Sequence, residues 1–271
     1  MGTEKRQRQK AGRQSRRTEA EIAARKARTR SAFLKWGIFA VVVLAIIIGF
    51  SVFGGDDDDS ETTTTPSTTA APATTAAPAA TYGTTPCPPA EGAAEQQRTF
   101  EDSFQQCIDP AKSYTAVLKF NVGELRVALD AAKAPVTVNN FVALSRYKFY
   151  DGINCHRIIP DFVAQCGDPQ GDGRGGPGYR FGDELPEAGE YQIGSLAMAN
   201  SGPNTNGSQF FVITGERGAA LDPDYSLFGQ VEPGQDDLIA TLNAAGNDDP
   251  AANGVPPKQT ITLESVTIIE Q

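Results

Sequence analysis

The C-terminal part of this chain predicts a mainly β fold, a closed antiparallel β-barrel capped by two helices, set behind one transmembrane helix and a disordered linker. Three observations carry that prediction. From residue 113 onward, short apolar segments alternate with period two between clusters of Gly, Pro, Asn and Asp, the pattern of many short strands joined by turns. Two segments switch to helical spacing. Far upstream, residues 36–53 run 18 positions without a charge, about 27 Å of helix and close to the hydrocarbon thickness of a bilayer.

Taken in order, the chain begins basic and ends acidic. Its 271 residues hold 24 Lys and Arg against 33 Asp and Glu. Twelve of the basic residues precede Trp36, with only three acids among them. The remaining body is strongly acidic, which argues against nucleic acid as its partner. Residues 1–35 read as a solvated cytoplasmic tail; the sharper alternative is a helix drawn to anionic lipid or nucleic acid. Residues 36–55 read as the transmembrane helix, since the apolar run shows no polar stripe. Basic residues before it and Asp56 to Asp59 after it place the N-terminus in the cytoplasm and the body outside. A cleaved signal peptide fits less well, because the run is long and no A-x-A site closes it. The four aspartates lack companion ligands and read as a solvated boundary, not a metal site.

Residues 56–86 are mostly Thr, Ala, Pro and Ser, too poor in apolar groups to offset ordering, and read as a disordered stalk of roughly 30 Å as a coil to about 80 Å extended. Its threonines are candidate glycosylation sites. Residues 87–112 form a transition whose spacing allows a short helix over 99–106. The domain proper is 113–271, enough chain for one core. Ala116, Leu118 and Phe120, then Leu125, Val127 and Leu129, give a hairpin with one buried face around an Asn121-Val122-Gly123 turn. Pro135 opens a helix with a stripe of Val136, Val138, Phe141, Val142 and Leu144 that ends near Tyr147. A glycine-rich loop occupies 167–182. Strands follow at 195–199, 209–213, 227–231 and 260–268, and a second helix covers 236–242, stopping near Gly246.

Residues 154–168, NCHRIIPDFVAQCGD, form a second hairpin whose register decides its use. A three-residue connection of Pro160, Asp161 and Phe162 sets Ile159 opposite Val163 and Arg157 opposite Gln165, all on one face. A two-residue turn slips the register and separates Arg157 from Gln165. The residues alone leave both open. The four cysteines suit two disulfides in an exported body. Cys87 with Cys107 would tie the stalk's end to the domain's start. Cys155 with Cys166 stays open, because the register that joins Arg157 to Gln165 puts these two on different faces unless a bulge intervenes.

Several chemistries are absent from the sequence. One histidine, His156, rules out a multi-histidine zinc site and reads as a packed residue; no nucleophile elbow or phosphate loop occurs. No metal or cofactor is expected. Beyond the hairpin, SLAMANSGPNTNGSQFFVI puts Gln209 and Phe211 on one face of a strand and Phe210 on the other.

Together CHRIIPDFVAQCGD, GSLAMANSGPNTNGSQFFVIT and ALDPDYSLFGQV closely resemble the cyclophilin-type peptidyl-prolyl cis-trans isomerases, in the family's order and spacing, from Tyr114 to Gln271. The resemblance implies a barrel of eight strands with its active site on the outer surface, and it favours the three-residue turn. It also implies a catalytic group of Arg157, Gln165 and Phe162. The substrate groove would comprise Val163, Ala199, Asn200, Gln209, Phe211, Leu221 and Tyr225. Proline-containing polypeptides are the implied partners. Val163 replaces a frequent methionine, Ala220 a frequent tryptophan and Tyr225 a frequent histidine, so cyclosporin binding is expected to be weak. The competing functions are a catalytically silent proline-peptide-binding module and a chaperone. Membrane-anchored folding assistance to exported or cell-envelope proteins is the expected setting.

Overall fold

The computed structural model describes residues 81–271. The predicted tail, the transmembrane helix and all of the linker except 81–86 lie outside the described residues. Among the described residues no helix is long and apolar enough to cross a membrane.

Strand β1 (Tyr114–Phe120) and strand β2 (Gly123–Leu129) form the first hairpin. Gly123 already pairs with Phe120, so the turn is Asn121-Val122 alone. Helix α1 (Pro135–Arg146) follows, then β3 (Ile153–Asn154), β4 (Arg157–Ile159), β5 (Val163–Cys166), β6 (Ser195–Met198) and β7 (Phe210–Ile213). Helix α2 (Glu216–Ala219), β8 (Leu227–Val231), helix α3 (Asp236–Ala244) and β9 (Thr262–Glu270) complete the chain. The short α2 is additional to the two helices expected.

The strands make one antiparallel sheet of nine, ordered β3-β9-β1-β2-β8-β6-β7-β5-β4. This corrects the expected closed barrel of eight strands: among the described residues no ladder joins β3 to β4, and the half-barrel is open. The reason lies at Cys155 and His156, where the chain passes from one end of the sheet to the other. Cys155 still donates its N–H to Ile261 O, but β4 then pairs with β5 instead. The free side of β4 is covered by a loop. Ile158 donates to Gly254 O and accepts from Asn247 N–H, so the exposed strand edge is blocked without closing the sheet.

Alternation sets the core as predicted for the first hairpin: Ala116, Leu118, Leu125 and Val127 are fully buried. Helix α1 departs from a simple stripe. Every residue from Thr137 to Arg146 is buried, because segment 81–112 covers its outer side. Asn139 Oδ1 accepts the N–H of Cys107 and of Ile108, and Ala93 N–H donates to Arg146 O. At the other end, Glu184 accepts from the N–H groups of Val136 and Thr137, satisfying orphan donors where a carboxylate also complements the helix dipole.

The helix allowed over 99–106 does not form. Phe100 and Phe104 have helical spacing, but their backbones are committed elsewhere: Phe100 N–H donates to Pro177 O, and Gly83 N–H to Phe104 O. Thr85 and Phe104 form a parallel bridge, so the last residues assigned to the linker belong to the folded body. The Cys87–Cys107 disulfide closes this segment on itself across 20 positions, a constraint worth about 3 kcal/mol for a loop of that length. Phe104 is 2% exposed and stacks on Tyr147 at 5.7 Å. Phe104→Ala should therefore cost about 3–5 kcal/mol of stability in a denaturant titration; a loss below about 1 kcal/mol would mean the segment is merely draped over α1.

Candidate active site

The face that matters is the outer one. Alternation along β4, β5, β6 and β7 sends Ile158, Ala164, Leu196 and Phe210 into the main core, and gives the opposite side Val163, Ala197, Phe211 and Ile213, packed with Tyr191 into a second apolar cluster. The hairpin uses the three-residue connection. Arg157 pairs with Gln165 and Ile159 with Val163, and Phe162 N–H closes the turn onto Ile159 O. Asp161 takes a left-handed backbone, φ 59°. Its N–H is held by Asn243 Oδ1 and its carboxylate by the Glu216 N–H, so α2 and α3 anchor the hairpin tip.

A cavity of about 220 Å³ opens on this face, lined by Arg157, Phe162, Val163, Gln165, Ala199, Asn200, Phe211, Leu221 and Tyr225. Nine of the ten residues expected in the site thus meet around one pocket. The tenth, Gln209, lines an adjoining lobe of about 280 Å³ that shares Gln165, Ala199 and Asn200. Phe211 and Tyr225 meet edge to face, 5.4 Å between rings. Asn200 uses its side chain internally, Nδ2 donating to Asp224 O, while Ala199 N–H donates to Gln209 O.

The polar side of the pocket is one directed chain. Gln209 Nε2 donates to Gly175 O, Gln165 Nε2 to Gln209 Oε1, and Arg157 Nη1 to Gln165 Oε1, at 2.9, 2.9 and 3.2 Å. From the other side Asn253 grips the guanidinium, its backbone oxygen accepting from Nε and its Oδ1 from Nη2, both at 3.2 Å. The guanidinium carbon also lies 5.9 Å from the Phe162 ring. Burial lowers the Arg157 pKa and Tyr225 opposes the shift; arginine starts so high that the group stays protonated. No metal-ligand cluster occurs among the described residues.

Sequence reasoning missed three of the four supports of this site and left the other, the Cys155–Cys166 bridge, open. Asn253 lies 96 positions from Arg157, and its only signal was the Asn253-Gly254 pair, a left-handed turn cue realised at φ 50° and 80°. Tyr191, its hydroxyl pushed up to about 12 chiefly by burial, donates to Tyr225 O and accepts Tyr225 N–H, fixing the pocket's rim. The Cys155–Cys166 disulfide does form. It is compatible with the Arg157–Gln165 register because β4 begins only at Arg157, leaving Cys155 outside the ladder, and Gly167 turns away at φ 85°. The fourth support is Asp168, which carries the glycine-rich loop. It is 1% exposed and accepts N–H bonds from Gln170 and Gly173. A side chain at Gly175 would strike its carboxylate. That loop delivers the Gly175 carbonyl on which the glutamine chain ends.

An outward-facing arginine beside an apolar pocket on a half-barrel defines a class of surface-groove protein, and the comparisons specify it. The family model described as cyclophilin type peptidyl-prolyl cis-trans isomerase/CLD matches residues 115–268, and the chain belongs to that family. Among curated proteins, the probable peptidyl-prolyl cis-trans isomerase A of Mycobacterium leprae is 41% identical over 174 residues, 57% of this chain and 91% of the relative. The probable isomerase B of the same organism is 39% identical over 177 residues, 59% of this chain and 58% of the relative. The chain thus matches little more than half the length of that protein. A crystal structure of a Cryptosporidium parvum cyclophilin type isomerase superposes with a TM-score of 0.52 at 32% identity, covering 59% of this chain and 99% of the other.

Burial works to raise the Asp168 pKa, but the backbone N–H donors of Gln170, Gly173, Gly171 and Gly175 together outweigh it and hold the carboxyl below its ordinary value. A depressed carboxylate contributes stability above its unfolded pKa, near 3.9, and loses it as pH falls through the folded value. Asp168→Asn should therefore destabilise the protein by about 1–3 kcal/mol at neutral pH. Thermal unfolding followed across pH should show the gap from the unaltered chain closing below about pH 4; a gap independent of pH would refute the role given to the charge.

Proposed function

We propose that this chain is a peptidyl-prolyl cis-trans isomerase acting on proline-containing polypeptides. The observation that carries the reading is Arg157, gripped from two sides at the mouth of a pocket whose Phe162, Val163, Phe211 and Leu221 suit a proline ring. Rotation about a peptide C–N bond costs about 18–20 kcal/mol because amide resonance must be broken. At the twisted transition state the proline nitrogen becomes pyramidal and gains a lone pair absent from either planar isomer. A guanidinium N–H aimed at that nitrogen binds the transition state in preference to both ground states. The apolar cup holds the ring while the preceding carbonyl turns, and Gln165 holds the guanidinium. No covalent intermediate arises. The C. parvum relative, TM-score 0.52 and 32% identical, has also been solved in the presence of the dipeptide Ala-Pro, which supports a proline-bearing ligand here.

The finer setting belongs to the same proposal. The apolar run at 36–53 between basic and acidic flanks supports a single-pass anchor with its N-terminus in the cytoplasm and the isomerase domain outside. The Cys87–Cys107 and Cys155–Cys166 disulfides are in keeping with an oxidising compartment. Clients would then be exported or cell-envelope proteins. Cyclosporin should bind weakly, since Ala220 offers no indole. Protease added to intact cells should remove the domain; its survival would reverse the orientation. Arg157→Ala should slow isomerisation of a proline peptide, followed by exchange NMR, by about 10²–10³ while leaving the fold intact; an unchanged rate would end the proposed mechanism.

A further inference from the structure

Residues 81–271 carry twelve cationic side chains among twenty-five carboxylates, and half of these cations pair with an acid. Lys112, Lys119, Arg126, Lys133, Arg146 and Lys258 each reach a carboxylate oxygen within 3.1 Å. Arg98 and Lys148 donate instead to the backbone carbonyls of Asp151 and Ala94. Six cations therefore reach no carboxylate among the described residues: Arg98 and Lys148, which line neither lobe of the groove, and Arg157, Arg174, Arg180 and Arg217, which all stand on it. Arg174 and Arg180 line the lobe that contains Gln209. At the other end the Arg217 guanidinium lies 5.6 Å from the Phe162 ring.

Arg174, Arg180 and Arg217 are exposed, so leaving them unpaired costs little. Their placement is what selects. Four of the six cations without a carboxylate partner gather around this one groove, and three of those four lie outside the Arg157 clamp. The nearby acids are partly occupied: Asp161, Asp172 and Asp183 accept backbone N–H bonds from Glu216, Arg174 and Asn204. Asp222 and Asp224 adjoin Leu221 and Tyr225 in sequence, and no carboxylate is among the residues that line either lobe. The rest of the body repels anions, and a free cationic strip then concentrates and orients an anionic chain.

Resting on the isomerase reading above, we propose that the groove selects polypeptides whose proline is flanked within a few residues by Asp or Glu, one flank meeting Arg217 and the other Arg174 and Arg180. The test uses the full chain and three otherwise identical peptides carrying Glu, Gln or Lys on both sides of a single proline. Binding is followed by NMR titration and turnover by exchange spectroscopy, beside a chain bearing Arg174→Gln, Arg180→Gln and Arg217→Gln. The basic tail is common to both chains, so its attraction for acids cancels in the comparison. A few exposed ion pairs, each worth a small factor, should together favour the Glu peptide over the Gln peptide by about tenfold. That preference should shrink at about 0.5 M salt, where the screening length is a few ångströms, and vanish in the triple variant. Equal binding of the Glu and Gln peptides, or a preference that survives the three substitutions, overturns the inference. The two readings fail separately. A chain that prefers acidic flanks but accelerates no exchange loses the isomerase reading alone, whereas acceleration without charge preference removes only the selectivity.

Discussion

Arg157 can act on a proline nitrogen only if its N–H groups point one way, and a long flexible side chain does not do so unaided. Here the guanidinium is spanned by two acceptor sets on opposite sides, Gln165 from the neighbouring strand and Asn253 from a distant loop. Neither acceptor is charged. A carboxylate in either place would compensate the cation and draw its donors away from a ligand, whereas neutral oxygens fix the geometry and leave the charge for the transition state.

The surroundings serve this orientation at successive removes. Gln165 is directed by Gln209 and Gln209 by the Gly175 carbonyl, whose position depends on a loop wound around the Asp168 carboxylate. On the other side, Asn253 belongs to the loop that blocks the free edge of β4 through Gly254 and Asn247. The open edge of the half-barrel is therefore the means by which the arginine gains its second clamp. A closed ladder at that position would have used Ile158's backbone groups for strand pairing.

Much of the site was legible because strand alternation converts spacing into facing: Arg157 with Gln165, and Gln209 apart from Phe210, follow from period two once a turn length is chosen. The turn length itself came from family resemblance. Sheet closure was not legible, since it depends on where two very short strands stop pairing at Cys155 and His156. Segment 87–112 misled for a different reason. Its few large apolar residues, Phe100, Phe104 and Ile108, look too sparse for a core, and only the tertiary contact with α1 shows that they cover buried polar side chains such as Asn139. Asn253 was missed because a loop oxygen reaching across 96 positions leaves no periodic trace.

The central claim is that the fixed fork of the guanidinium, and not merely a positive charge, lowers the barrier. Exchange NMR at saturating proline peptide on Arg157→Lys tests it directly, since lysine keeps the charge but presents a compact ammonium with no planar pair of donors. The account predicts that the bound peptide interconverts about 10²-fold or more slower than with the unaltered chain, at similar affinity. A lysine variant that retained most of the rate would contradict it and leave simple charge as the operative feature.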